Sequence, residues 1–429
     1  MDKLYKPISA TLITLAILSY FAGFYLGENS AGAGGYEGDF DDIWNNLQIF
    51  LQNDLNTSLS HPDYDDSRTP IAYIVHEIFN PFLDNKVSFR RSVFLISFLL
   101  PFLFYFTLKQ KFGNEENLLL ILITSIIFIS PYFRTSSYWG LQENYGLIFL
   151  LLTFLSDIYL NSDKNKLISN EYIKIFFIAF LSSLCLYFDQ KLIIVPMIYF
   201  FKFMLSKKFI NYKIFLIFCY FIFSLPYIYL ISLWGSVILS AAAKYRQLGQ
   251  GLFLDHIGFT VTMIAFYLLP FLFFKKEKFI DLIKDLFKVK KNYFLIFIYL
   301  LYLIYMIFFF DLNDSNYGKG FINKISYILF QENYLRLIFI YTTFFISWII
   351  ILVYFQIFFK DLFIILYFLI LSVFLHPIFQ EYFDPLILIM VFTFLTPKVY
   401  LNYKNSIVLF SYFLLFLMSA NIYYINLLS

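Results

Sequence analysis

The sequence predicts an all-α, polytopic helical membrane protein, and three observations lead there. Of its 429 residues, 60% are hydrophobic. Only 14% are charged, well below the roughly 25% of soluble domains, and mean hydropathy is +0.72. Apolar runs long enough to cross about 30 Å of hydrocarbon recur from one end of the chain to the other. The aromatic content, with 60 Phe and 36 Tyr, belongs to the same composition and carries no functional weight.

The runs fall near 8–27, 92–108, 117–133, 138–160, 172–188, 190–205, 214–234, 256–274, 293–310, 335–358, 362–377, 379–397 and 406–427. That makes about thirteen spans in a single integral membrane domain over 1–429, with the two runs between 362 and 397 meeting at Pro377. Lysines label the sides, because short cytoplasmic loops retain positive charge. Lys3 and Lys6, Lys109 and Lys111, Lys164 and Lys166, and Lys202, Lys207, Lys208 and Lys213 recur two spans apart. The stretch Lys275 to Lys291 continues the phase. The N-terminus is therefore expected in the cytoplasm. The first run is expected to stay as an anchor instead of being cleaved after Ala31-Gly32-Ala33, because it exceeds a usual signal core. Within 275–291, Phe279, Leu282, Ile283, Leu286 and Phe287 have helical spacing among lysines, which predicts an amphipathic helix on the cytoplasmic leaflet.

The loop at 28–87 is the most polar part of the chain. It holds eleven acidic residues against Arg68 and Lys86 alone, so it is expected to face outward. Asp39, Asp41 and Asp42 precede Ile43, Trp44, Leu47, Phe50, Leu51 and Leu55, whose spacing predicts an interfacial helix starting just after the aspartates. A lone Asp there would read as an N-cap. Three carboxylates exceed that need, and Asp41 and Asp42 become candidates for catalysis or for holding a divalent metal. Further on, His61-Pro62-Asp63-Tyr64-Asp65-Asp66-Ser67-Arg68 leads to Thr69-Pro70 and the apolar Ile71, Tyr73, Ile74, Ile78 and Phe79. Proline at a helix start predicts a second interfacial helix. Arg68 reads either as a phosphate ligand or as an ion-pair partner of Asp65 or Asp66. His61 and His76 lack metal-ligand spacing.

Other polar residues stand at the same expected side. Arg134 and Glu143, at the ends of two spans, must pair or face a cavity. Lys244 and Arg246 form a basic pair suited to an anionic head group. Gln380 and Tyr382 sit in a dense polar segment, Gln380-Glu381-Tyr382-Phe383-Asp384-Pro385, that reads as a tight turn or a cavity lid. Cys185 and Cys219 lie in apolar runs and imply no disulfide.

With these residues in view the chain resembles the GT-C superfamily, polytopic glycosyltransferases that use polyprenyl-linked sugars. Phe40-Asp41-Asp42-Ile43 sits where that superfamily carries an acidic pair in its first outward loop. Thr69-Pro70 with Tyr73 is similar to a later motif of the dolichol-dependent glucosyltransferases and aminoarabinose transferases. Gln380, Tyr382 and Pro385 resemble a C-terminal segment of the former. The pair usually ends in Glu where this chain has Asp42, and its proline doublet is single here. The resemblance implies a GT-C-like layout, a polyprenyl-phosphate sugar donor and a glycan or lipid-linked acceptor. It implies Asp41 as base with Asp42 in support, and a divalent ion, Mg or Mn, in some members. Asp39, Arg68, Arg134, Glu143, Lys244, Arg246, Gln380 and Tyr382 are expected to bind substrate. The expected location is the inner or plasma membrane, in contact with its lipid, and no nucleic acid is expected as partner. A lipid-sugar flippase and an O-antigen-type polymerase are the competing readings.

Overall fold

The structure, a computed structural model, describes residues 2–29, 37–66, 68–161, 170–206, 209–235, 252–275, 279–309, 318–355 and 359–428. All elements among them are helical. The sequence reads as one continuous membrane domain, whereas contacts divide the chain into two compact units, 1–246 with 413–429, and 247–412.

The first unit begins with α1 (Asp2–Leu26), a span ended by Gly27 at φ +66°. Two short helices and a longer one follow on the polar loop: α2 (Glu37–Gln52), α3 (Leu55–Leu59) and α4 (Ile71–Phe79). α2 buries Phe40, Ile43, Leu47 and Phe50, spaced three and four apart, which gives one apolar stripe. The Asp54 carboxylate caps α3 by accepting from the Asn56 and Thr57 amides at 3.0 and 3.1 Å. Pro70 stands immediately before α4, as its fixed φ favours. Next, α5 (Lys86–Ser97) and α6 (Leu99–Lys111) form one span.

α7 (Asn117–Ser125) continues through a 3-10 turn to Ile129 and then breaks. After Ser130, α8 (Pro131–Trp139) sets off at 65° to it, and all nine of its residues are buried. The break has a local cause: Pro131 has no amide to donate, and the Ser130 hydroxyl accepts from the Phe133 amide instead. Gly140, at φ +75°, ends α8. α9 (Glu143–Leu160), α10 (Glu171–Phe188), α11 (Ile194–Ser206) and α12 (Ile210–Trp234) complete the unit, with the last part of α20 (Tyr403–Leu428). α12 exposes Ile214, Ile217, Phe218 and Phe221, an apolar face of the kind that lies against lipid.

In the second unit α13 (Asp255–Leu268) is central, twelve of its fourteen residues being buried. Around it stand α14 (Phe279–Leu286), α15 (Lys290–Phe309), α16 (Gly320–Leu329), α17 (Asn333–Phe355), α18 (Phe359–Phe374) and α19 (Leu386–Phe392). The Lys275 ammonium donates to the Val353 and Tyr354 carbonyls at 2.9 and 2.8 Å, a cation on the negative end of α17.

Among the described residues nine helices are long and apolar enough to cross a membrane, or ten with the bent pair α7–α8. Three of the thirteen expected runs differ. The run at 379–397 holds only the seven-residue α19, about 10 Å long at 1.5 Å per residue. All seven of its residues are buried, so its hydrophobicity serves the core of the second unit. The run at 362–377 forms a shorter apolar helix. The run at 190–205 is a 3-10 turn followed by the thirteen-residue α11. The expected amphipathic helix within 275–291 is α14, eight residues, ending before α15 starts at Lys290.

Candidate functional site at the first loop

The segment 61–70, the α8–α9 turn, the α10–α11 turn and the end of α12 converge at one end of the first unit. Arg68 pairs with Glu143, the Thr69 hydroxyl donates to the Tyr187 carbonyl, and the Trp234 indole donates to the Leu59 carbonyl at 2.8 Å.

The acidic residues sit differently from the expectation. α2 starts at Glu37, so Asp39, Asp41 and Asp42 lie within its first turns and do not precede it. Helix register explains this: the stripe that begins at Phe40 requires those residues to be helical already. Carboxylates near the positive end of a helix are stabilised whatever else they do. Asp41 is half-exposed and its Oδ1 pairs with Lys86, the first residue of α5. The same ammonium lies 5.2 Å from the Phe40 ring. Asp42 is exposed and Asp39 half-exposed. Successive helical residues diverge by about 100°, and Lys86 already occupies Asp41, so this pair does not fit a divalent ion. Among the described residues no three His, Cys, Asp or Glu side chains converge as ligands.

Loop 61–66 is locked to α2 by one side chain. The Asn46 amide donates to the Asp65 carbonyl at 3.3 Å and accepts from the Asp65 amide at 3.1 Å. This leaves Asp66 buried, accepting from the Tyr73 hydroxyl at 2.5 Å, Gln142 Nε2 at 3.0 Å and the Arg68 amide at 2.8 Å. Burial and the Asp66 charge push the Tyr73 phenol well above its ordinary range. Arg68 pairs with Glu143, 75 residues away. Lys191 pairs with Asp189 at 2.9 Å beside them, and the Glu143 charge acts on Asp189. Burial pushes the Asp189 carboxyl up. The Gln142 Oε1 and Glu143 Oε2 atoms are buried and accept no hydrogen bond from the described residues.

Arg134, the other basic candidate in this unit, is a structural residue. Its guanidinium donates to both Glu28 carboxylate oxygens, to the Ser19 hydroxyl at 3.1 Å, to the Ser19 carbonyl at 2.7 Å and to the Phe128 carbonyl at 3.0 Å. The Asn421 amide completes Glu28 at 2.9 Å. With its donors consumed inside the helix bundle, Arg134 ties α1 to the broken α7–α8 span. In the second unit, Gln380 is similarly committed: Nε2 donates to the Tyr267 hydroxyl at 3.2 Å and Oε1 accepts from the Phe321 amide at 3.1 Å. The Tyr382 hydroxyl donates to the Pro377 carbonyl at 3.4 Å. Lys244 and Arg246 lie outside the described residues.

Under α4 lies an apolar cavity of about 670 Å³, walled by α4, α5, the start of α6, α9 and α10. Val75, Leu95, Ile148, Phe149, Leu184 and Phe188 are among the residues that line it. Its polar atoms come from His76, whose Nε2 meets the Tyr145 hydroxyl at 2.9 Å, and from Asn80, which donates to the Ser92 hydroxyl at 2.8 Å. Burial lowers the His76 imidazole to about 4. Between the cavity and the acidic start of α2 stand two rings, Phe89 at 5.0 Å from His76 and Phe40 at 6.0 Å from Phe89.

Sequence reasoning missed Lys86 as the partner of Asp41, the Asp189–Lys191 pair, Asn46 and the cavity. An acid and a lysine two positions apart between two apolar runs was a visible signal for the second of these. The rest depend on contacts between distant segments. No family model matches the chain, and no curated protein or solved structure is similar to it.

Proposed function

We propose that this chain is an integral-membrane glycosyltransferase that moves a sugar from a polyprenyl-phosphate donor to a glycan or lipid-linked acceptor, at the outer face of the inner or plasma membrane and with inversion. The observation that carries the reading is the half-exposed Asp41–Lys86 pair at the start of α2, two rings from an apolar cavity. A lipid-phosphate donor requires a carboxylate and a cation where lipid and water meet, and this pair supports that reading. The layout of the first loop, which resembles the GT-C superfamily, points the same way.

In this mechanism the acceptor hydroxyl oxygen attacks the anomeric carbon while the bond from that carbon to the phosphate oxygen breaks. The proton passes to Asp41. A carboxylate near pKa 4 cannot remove a sugar hydroxyl proton in advance, so transfer occurs late, as the glycosidic bond opens. The electron pair leaves with the phosphate, and Lys86 is the cation in place to meet it. A preorganised charge of this kind is worth several kcal/mol. Asp42, one residue on and exposed, supports the acceptor.

The test uses membranes carrying the protein and labelled polyprenyl-phosphate sugars. Label should move to a glycan or lipid acceptor with the natural chain, and Asp41→Asn should reduce transfer by at least about 100-fold, within the range of a lost general base, with insertion unchanged. Normal turnover in the variant would remove Asp41 from the chemistry. One observation favours a second reading, a lipid-sugar flippase: the broken α7–α8 span with its buried half-helix, a device that transporters use. In that case label would cross the bilayer still attached to its polyprenyl phosphate.

A further inference from the structure

We infer that Gln142 and Glu143 recognise the hydroxylated head group of a lipid-linked saccharide whose apolar chain occupies the cavity beneath α4. This deepens the transferase reading and rests on it for the identity of the lipid-linked sugar.

The argument starts from two acceptors. Gln142 is 1% exposed and Glu143 9% exposed. Each has one side-chain oxygen or nitrogen fixed by a neighbour: Gln142 Nε2 donates to Asp66 at 3.0 Å, and Glu143 Oε1 takes the Arg68 guanidinium. The first contact also settles the orientation of the amide, since turning it over would set oxygen against the Asp66 carboxylate. What remains is Gln142 Oε1 and Glu143 Oε2, adjacent in sequence, buried and without a donor among the described residues. Buried acceptors of this kind call for a ligand that brings hydrogen.

The charges around them narrow its chemistry. Glu143 pairs with Arg68 and Asp189 with Lys191, and the Asp66 carboxylate on Gln142 adds a third negative side chain, so these side chains are more negative than positive. A phosphate placed on Gln142 and Glu143 would add charge of the wrong sign and offer acceptors to acceptors. Sugar hydroxyls supply donors to both oxygens and carry no charge.

The cavity then defines the other half of the ligand. Three segments of the cluster run directly into its wall: Arg68 leads to Ile71 and Ala72, Glu143 to Tyr145, and Asp189 follows Phe188. A polar group and an apolar chamber joined through three separate elements suit one amphipathic molecule, with its chain inside and its head at the loop end.

The experiment measures binding without turnover. The full chain, purified into lipid nanodiscs, is exposed to a decyl glucoside with a photoreactive diazirine at the tail end, and to the same tail with a sulfate head. The glucoside probe is expected to label peptides containing Tyr145 or Phe188, and the sulfate probe to label them at least tenfold less. Gln142→Met should cut glucoside labelling at least tenfold in chains that still fold. Ile148→Trp, which fills the cavity without touching the cluster, should abolish labelling by both probes. Equal labelling by the two probes would overturn the inference, as would unchanged labelling in folded Gln142→Met, the two oxygens then serving buried water only. If Gln142→Met does not fold, Glu143→Gln in its place decides by the same tenfold criterion. Selective glucoside labelling by a chain that transfers no sugar would sink the transferase reading and sustain this one.

Discussion

At the scale of single residues, Arg134 and Arg68 in the first unit have opposite characters. Arg134 is 2% exposed and gives its donors to Glu28, Ser19 and Phe128. Removing it strands the Glu28 carboxylate, so Arg134→Ala should cost about 3–5 kcal/mol of stability, read as a lower unfolding midpoint in detergent. The double variant Arg134→Met with Glu28→Met should recover most of that loss, because it removes both charges. If Arg134 held a ligand instead, deleting Glu28 would rescue nothing. Arg68, by contrast, keeps 26% of its side chain in contact with solvent. His76 makes a pH prediction with a definite sign. Its folded-state value of about 4 lies below the ordinary 6.5, so between those values the unfolded chain binds the extra proton. Stability should therefore be complete above pH 6.5 and fall as pH drops towards 4, by on the order of 3 kcal/mol. His76→Gln should flatten that part of the profile; an equally steep profile in the variant would assign the fall to other groups.

At the scale of elements, local chemistry was readable and long-range pairing was not. Thr69-Pro70 announced α4, and apolar runs announced the nine long helices, because proline geometry and hydrophobic length act within a few residues. The start of α2 was misplaced because a carboxylate can cap a helix or ride within its first turn, and only the packing of Phe40 decides. The run at 379–397 looked like a span because burial in a protein core and burial in lipid select the same side chains. Arg68–Glu143 and Arg134–Glu28 lie 75 and 106 residues apart, beyond any local pattern. The C-terminal end of α8 supplies an element-level test. Gly140 closes α8 at φ +75°, and a Cβ there would meet Val93 at 3.6 Å and Phe40 at 3.8 Å, ordinary contacts. Its role is conformational, so Gly140→Ala should cost about 1–2 kcal/mol from the left-handed backbone alone. A loss much larger than that, measured by denaturant unfolding, would mean that the α8 end is packed more tightly than these distances allow.

At the scale of the whole molecule, the chain combines apolar helices of spanning length with one concentrated acidic loop. The ends of α1 and α7 opposite that loop are joined by Lys6 and Glu116 at 2.8 Å, and Lys202 pairs with Asp157 between α11 and α9. The expectation that basic loops stay in the cytoplasm gives the acidic loop an outward direction. The proposed reaction depends on that direction, since a polyprenyl-linked sugar used outside the cell must meet Asp41 there. Asp42 is exposed on α2 beside it, which makes it the position to interrogate. With Cys185 and Cys219 buried, Asp42→Cys can be labelled selectively by a membrane-impermeant maleimide on intact cells. Labelling without permeabilisation is the predicted result; labelling only after the membrane is opened would place the acidic helix in the cytoplasm and contradict the account.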